Sequence, residues 1–161
     1  MFKETGIVSL EELKEKNLLP PENIMMEKFV PFVECVENIP CNPCSSSCPT
    51  GAIRKDKITD IPRVEWDKCI ACLKCVASCP GLAIFLAKIE GDKAKIYLPH
   101  EMLPVPQKGD SVTLLDREGK AVGKGEVFFV MRYPDKTNVV GVSVPKDLVW
   151  SVRAIRAEVR E

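Results

Sequence analysis

Two cysteine-rich runs constrain this chain more than anything else in it. The first reads CNPCSSSCPTGAI (residues 41–53) and the second CLKCVASCPGLAI (residues 72–84). Aligned, both give Cys-x2-Cys-x3-Cys-Pro, then Ala-Ile at the same offset, so residues 35–98 contain an internal repeat. One more cysteine precedes each run. Two residues separate Cys69 from Cys72, whereas five separate Cys35 from Cys41. A β-like segment leads into each half, KFVPFVE (28–34) and RVEWD (63–67). After each run a short helical turn is expected to start at Pro49 or Pro80, where the missing N–H costs nothing. IFLAKIE (84–90) and KAKIYL (93–98) flank Gly91-Asp92 and read as a hairpin. Pro31 marks KFVPFVE as an edge strand. Two β-loop-α-β halves of this kind predict a pseudo-twofold α+β domain.

The flanks differ from this core. Residues 1–28 are expected to form a helical extension, with Ser9 and Glu12 as a capping box for SLEELKEKN and Pro20-Pro21 after it. The cluster of cysteines falls in a domain spanning 29–98. Residues 99–110 carry three prolines and read as a connector, which places His100, the single histidine, on the surface. Short strands then alternate with turns at Arg117-Glu118-Gly119 and Pro134-Asp135, so residues 111–161 predict a small all-β, barrel-like domain closed by a C-terminal helix or strand. That segment has no cysteine and is expected to be separable: truncation near Pro104 should leave the cysteine domain intact.

Composition excludes several classes. The 23 basic and 23 acidic side chains balance, and aromatic residues make up 6%, which argues against a nucleic-acid binder. No apolar run approaches the ~20 residues of a membrane span. MFKETGIVSLEELKEK lacks the apolar core of a signal peptide, so the chain is expected to be cytoplasmic. Eight cysteines in a reducing compartment point to metal ligation rather than disulfides. No P-loop and no G-x-G-x-x-G fingerprint is present, and no catalytic site is visible in the chain.

Two chemistries suit eight thiols. Two zinc ions with four cysteines each would use them all, but zinc knuckles separate two CxxC pairs by a longer loop. Cys69-x2-Cys72-x2-Cys75-x3-Cys79-Pro80 is instead the spacing of an iron–sulfur cluster loop, in which tight turns wrap a four-iron cube and aim backbone N–H groups at its sulfides. Cys35 has two readings, a ligand or a buried free thiol, because of its stretched spacing. Ile53, Ile70, Ala71, Leu73, Val76 and Ile84 read as a dry core around the loops. Ser45, Ser46 and Ser47 read as exposed hydroxyls, Lys68 and Lys74 as solvated charges, and Trp66, Trp150, Tyr97 and Tyr133 as packing residues.

Over residues 35–85 the sequence resembles bacterial-type two-cluster [4Fe-4S] ferredoxins. In that family the fourth cysteine of each run ligates the other cluster. The resemblance therefore implies Cys35, Cys41, Cys44 and Cys79 on one cluster, and Cys69, Cys72, Cys75 and Cys48 on the other. FVECVENIPCNPCSSSCPTGAI also looks like the small iron–sulfur subunits of multi-subunit FAD-dependent dehydrogenases of the glycerol-3-phosphate and proline or hydroxyproline types. That second likeness implies electron transfer to or from a flavin held by partner flavoprotein subunits, with the glycerol-3-phosphate type favoured. A freely diffusing ferredoxin and a redox-sensing binding module are the alternatives.

Overall fold

The computed structural model describes residues 2–158. Three short helices open the chain: α1 (Phe2–Thr5), α2 (Leu10–Glu15) and α3 (Glu22–Glu27). The capping box starts α2 as expected, since the Ser9 hydroxyl accepts from Glu12 N and the Glu12 carboxylate accepts from Ser9 N. Leu13 and Leu18 turn inward with Val8 to make a small core of their own.

The strand β1 (Val30–Val33) follows, and it lies at one end of a seven-stranded antiparallel sheet. Its partner is β4 (Ile84–Glu90), which forms the expected hairpin with β5 (Lys93–His100). Pro31 is tolerated because the outer edge of β1 needs no N–H from it. The indole N–H of Trp66 donates to Pro31 O at 2.8 Å and covers that edge.

Between β1 and β4 lie the two cysteine halves. The first gives helix α4 (Pro43–Ser47) and strand β2 (Ile53–Arg54). The second gives strand β3 (Arg63–Val64), a 3-10 turn at Trp66–Lys68 and helix α5 (Lys74–Ser78). The strands exchange across the pseudo-twofold axis. β1, before the first run, pairs with β4, after the second, and β2, after the first, pairs with β3, before the second. The helical turns fall inside the Cys-x3-Cys segments rather than after Pro49 and Pro80. Each proline follows its helix, where it cannot continue it and instead begins the next turn.

The remaining strands are β6 (Ser111–Leu115), β7 (Ala121–Met131), β8 (Asn138–Pro145) and β9 (Ala154–Arg156). They do not make a sheet of their own. β8 pairs with β5 from Lys93↔Pro145 to His100↔Asn138, giving the strand order β1-β4-β5-β8-β7-β6-β9. The inner faces of these strands share one core, which runs from Val30, Phe32 and Phe85 through Ile96 to Val112, Val142 and Ile155. A 3-10 turn at Lys146–Leu148, entered from Pro145, and the strand β9 close this region. Residues 99 and 100, read as connector, continue β5, and His100 is buried rather than on the surface. Its ring faces Pro104 O at 3.4 Å, and burial holds its pKa below the usual imidazole value.

Alternation along the strands sorts residues between two cores. In β4, Phe85, Ala87 and Ile89 enter the sheet core, while Ile84 and Leu86 face the cysteine loops with Val33, Leu73 and Val76. Tyr97 lies on the loop side, with ring centroids 4.9 Å from Phe29 and 5.3 Å from Phe129. Trp150 meets Phe32 edge-on at 5.5 Å.

Candidate metal centre

Each half places its cysteines with one helical turn and one tight turn. Cys44 lies within α4 and Cys75 within α5, and both are buried. The residue that leaves each helix is the last cysteine of the run. Cys48 has φ −74° and ψ 113°, and Cys79 has φ −69° and ψ 114°. Four residues on, a backbone N–H reaches back to each sulfur: Ala52 N to Cys48 Sγ at 3.3 Å and Ala83 N to Cys79 Sγ at 3.4 Å. The residue before each of these donors is left-handed, Gly51 with φ 69° and Leu82 with φ 52°. The repeat seen in the sequence is thus a repeat of backbone and of sulfur–amide contacts.

The second half adds two more left-handed residues, Ala71 (φ 55°) and Leu73 (φ 68°), on either side of Cys72. An L-residue there costs about 1–2 kcal/mol. Such alternation points successive N–H groups at a common centre, as an anion-binding nest does, and Ala71 N lies 3.4 Å from Cys69 Sγ.

The thiols fall into two groups, each drawn from both runs. Burial raises the Cys35 and Cys44 pKa values, and neighbouring thiols raise them further: Cys79 and Cys41 act on Cys35, and Cys79 and Cys35 act on Cys44. Burial also raises Cys69 and pushes Cys75 up to about 12, with Cys72 and Cys48 as contributing neighbours of both. Cys48, Cys69, Cys72 and Cys75 line one cavity with Ile53, Leu73 and Leu86. Cys48 differs in charge preference. Burial raises it, but N–H groups of Ile53, Thr50 and Ala52 and the Thr50 hydroxyl outweigh that and lower its pKa.

Among the described residues, no three His, Cys, Asp or Glu side chains come close enough to hold a single metal ion. A lone tetrahedral zinc needs its sulfurs within ~2.3 Å of the metal. The wider grouping around an open space suits a cluster core, whose corners each take one thiolate. Neutral, buried thiols exchange their protons for iron on assembly. The donor set, the N–H contacts and the apolar walls therefore fit [4Fe-4S] groups.

Two lysines that the sequence does not single out, Lys55 and Lys28, serve these loops. The Lys55 ammonium donates to Cys41 O, and its charge lowers the Cys35 and Cys44 pKa values. The Lys28 ammonium donates to Asp67 O at 3.1 Å and Cys69 O at 3.3 Å, and its charge lowers Cys69. Lys68 instead pairs with exposed Glu65. The serine hydroxyls are not idle: Ser45, Ser46 and Ser47 donate to carbonyls of Asn42, Pro43 and Cys44, within the turn of α4. Of the apolar loop residues, Ile70 is not core; it is 62% exposed, beside Cys69.

Among the described residues, no helix is long and apolar enough to cross a membrane. Searches of curated proteins and of solved structures give no match. Residues 34–84 match the family model of the 4Fe-4S dicluster domain, which supports a 4Fe-4S ferredoxin-type domain in this part of the chain and an iron–sulfur electron-transfer role for it.

Proposed function

We propose that the chain holds two [4Fe-4S] clusters with crossed ligands and serves as the electron-transfer subunit of a multi-subunit FAD-dependent dehydrogenase. Cys35, Cys41, Cys44 and Cys79 hold one cluster, and Cys69, Cys72, Cys75 and Cys48 the other. What supports this reading is that Cys48 lines one cavity with Cys69, Cys72 and Cys75, and that Cys79 is a charge neighbour of Cys35 and Cys44.

Each cluster, when bound, accepts and releases one electron. The chain's own residues set the conditions for that exchange. Ala52, Ala71 and Ala83 direct N–H groups at ligand sulfurs and favour added negative charge. Lys28 and Lys55 do the same through charge. Val33, Leu73, Val76, Ile84 and Leu86 keep water from the loops. Exposed Ile70 gives a redox partner an apolar point of approach beside the Cys69 loop.

The flavoprotein partner is the finer part of the proposal. It rests on the resemblance of FVECVENIPCNPCSSSCPTGAI to dehydrogenase small subunits, with the glycerol-3-phosphate type favoured. Mild anaerobic purification tests both parts. The expected preparation holds about eight iron and eight acid-labile sulfide per chain and co-purifies with flavin-bearing chains. Stoichiometric zinc without sulfide overturns the cluster reading. Two clusters in a chain that purifies alone favour the freely diffusing ferredoxin.

A further inference from the structure

We infer that Glu34, Arg117 and Arg153 form a positioning clamp that fixes Cys35 and Cys79, and with them one of the two clusters. The inference rests on the crossed-ligand proposal for which cluster is affected.

The clamp begins one residue before Cys35. The Glu34 carboxylate accepts from Arg117 Nη2 at 2.5 Å, from Arg117 Nε at 3.2 Å and from Arg153 Nε at 2.6 Å. Arg153 is buried and Glu34 and Arg117 are largely so, with side chains 5%, 8% and 15% exposed. Arg153 also donates to Val149 O at 2.9 Å and lies over the Phe32 and Phe85 rings, 4.8 and 5.1 Å from their centroids. Arg117 donates to Trp150 O at 2.7 Å. Both arginines are thereby fixed to the turn before β9 as well as to Glu34.

The backbone of Glu34 extends the same link to the second run. Glu34 N donates to Ala83 O at 2.8 Å, and Ala83 N donates to Cys79 Sγ at 3.4 Å. Thus one residue joins a side-chain clamp, the ligand Cys35 and Ala83, the residue whose N–H contacts Cys79. Taking three charges out of water is costly, and removing one partner leaves an unpaired charge. A site where position matters accounts for that arrangement. Cys35 needs it: residues 34–42 form no helix or strand, and the stretched spacing gives no local hold. Cys69 needs no such clamp, because the 3-10 turn Trp66–Lys68 delivers it and the Lys28 ammonium holds its carbonyl.

The test uses the full chain, loaded anaerobically, with Cys79→Ala and Cys48→Ala marking which paramagnetic signal belongs to which cluster. Glu34→Gln is expected to keep both clusters at first. The cluster marked by Cys79 should then lose iron to a chelator several-fold faster and show shifted resonance lines, while the other keeps its lines and its rate. Arg153→Lys, which retains a cation for Glu34, should lie between the two. If Glu34→Gln does not fold, Arg117→Gln carries the same test, because it leaves the Arg153 pair in place. Equal acceleration for both clusters, or none for either, overturns the inference. Absence of two cluster signals in the unmodified protein overturns the proposed function instead.

Discussion

The two cysteine halves reach the same backbone by different routes. Cys48 and Cys79 leave their helices with dihedrals within a few degrees of each other and accept the same kind of N–H contact. The second half achieves this locally. A two-residue spacer, a 3-10 turn and left-handed Ala71 and Leu73 fold the loop from within. The first half has a five-residue spacer without regular structure and depends on contacts from outside it: Lys55 on Cys41 O, and on Glu34 an arginine from the β6–β7 turn and one from just before β9. The second loop is shaped mainly by its own backbone, with Lys28 as its outside contact, and the first mainly by tertiary contacts. Changes to the distant parts of the molecule should therefore damage the first half more.

The largest expected effect comes from truncation near Pro104. β5 would lose β8 along its whole length. Val139, Val140, Val142 and Val144 are all buried in β8. At about 1.5–3 kcal/mol each they represent roughly 6–12 kcal/mol, comparable to the ~5–15 kcal/mol net stability of a domain. The truncated chain is expected to be largely insoluble, and any soluble fraction should retain less of the Cys79-marked cluster than of the other. Sedimentation and iron analysis check this; a soluble fragment with both clusters intact would show that the cysteine domain stands alone.

Next in size is the loss of a single ligand. Cys79→Ala should leave the cluster on Cys69, Cys72 and Cys75 unaltered and convert or lose the one on Cys35, Cys41 and Cys44. Cys48→Ala should do the reverse. Paramagnetic resonance with iron counting reads both. Damage confined to each variant's own run would mean that the runs do not cross.

Much of this was legible because it is local. The hairpin 84–98, the capping box at Ser9 and the repeat itself depend on residues within a few positions of one another. What the sequence hid is long-range. The Arg153–Glu34 pair spans 119 positions, and nothing near Arg153 announces its partner. Two signals were nonetheless present. Glu34 is a charge at the end of the apolar segment FVPFV, where a charge usually requires a partner. VVGVSV in β8 is apolar on both faces, the mark of a central strand rather than of a half-exposed one. His100 was misplaced for the same reason: its burial depends on β8, not on the prolines beside it. Lys28 escaped notice because its ligand carbonyl lies 41 residues away.

The lysines offer a smaller and more selective comparison. Each places a positive charge near one thiol group, which favours the reduced and more negative cluster. Lys55→Met should lower the potential of the Cys35–Cys41–Cys44 cluster by tens of millivolts, and Lys28→Met that of the Cys69–Cys72–Cys75 cluster. Redox titration followed by paramagnetic resonance resolves the two. Equal shifts of both clusters in either variant would show a general charge effect rather than one lysine per loop.

The smallest effect concerns a position where the halves differ in residue but share a left-handed backbone. Gly51 and Leu82 both adopt positive φ, 69° and 52°, one residue before the N–H that reaches the last cysteine. Glycine takes this conformation freely, whereas leucine meets a clash between its Cβ and the backbone of about 1–2 kcal/mol. Space does not decide the matter at Gly51, because an added Cβ would meet nothing within 4 Å. Gly51→Ala should therefore destabilise the loaded protein by about 1 kcal/mol through backbone strain alone. Leu82→Gly should act in the opposite direction, but by less, since glycine gives back part of the gain as chain entropy in the unfolded state. Anaerobic thermal unfolding of the two variants compares the signs. If both destabilise by the same amount, the Leu82 side chain contributes packing that offsets its strain, and the second loop is held by more than its own backbone.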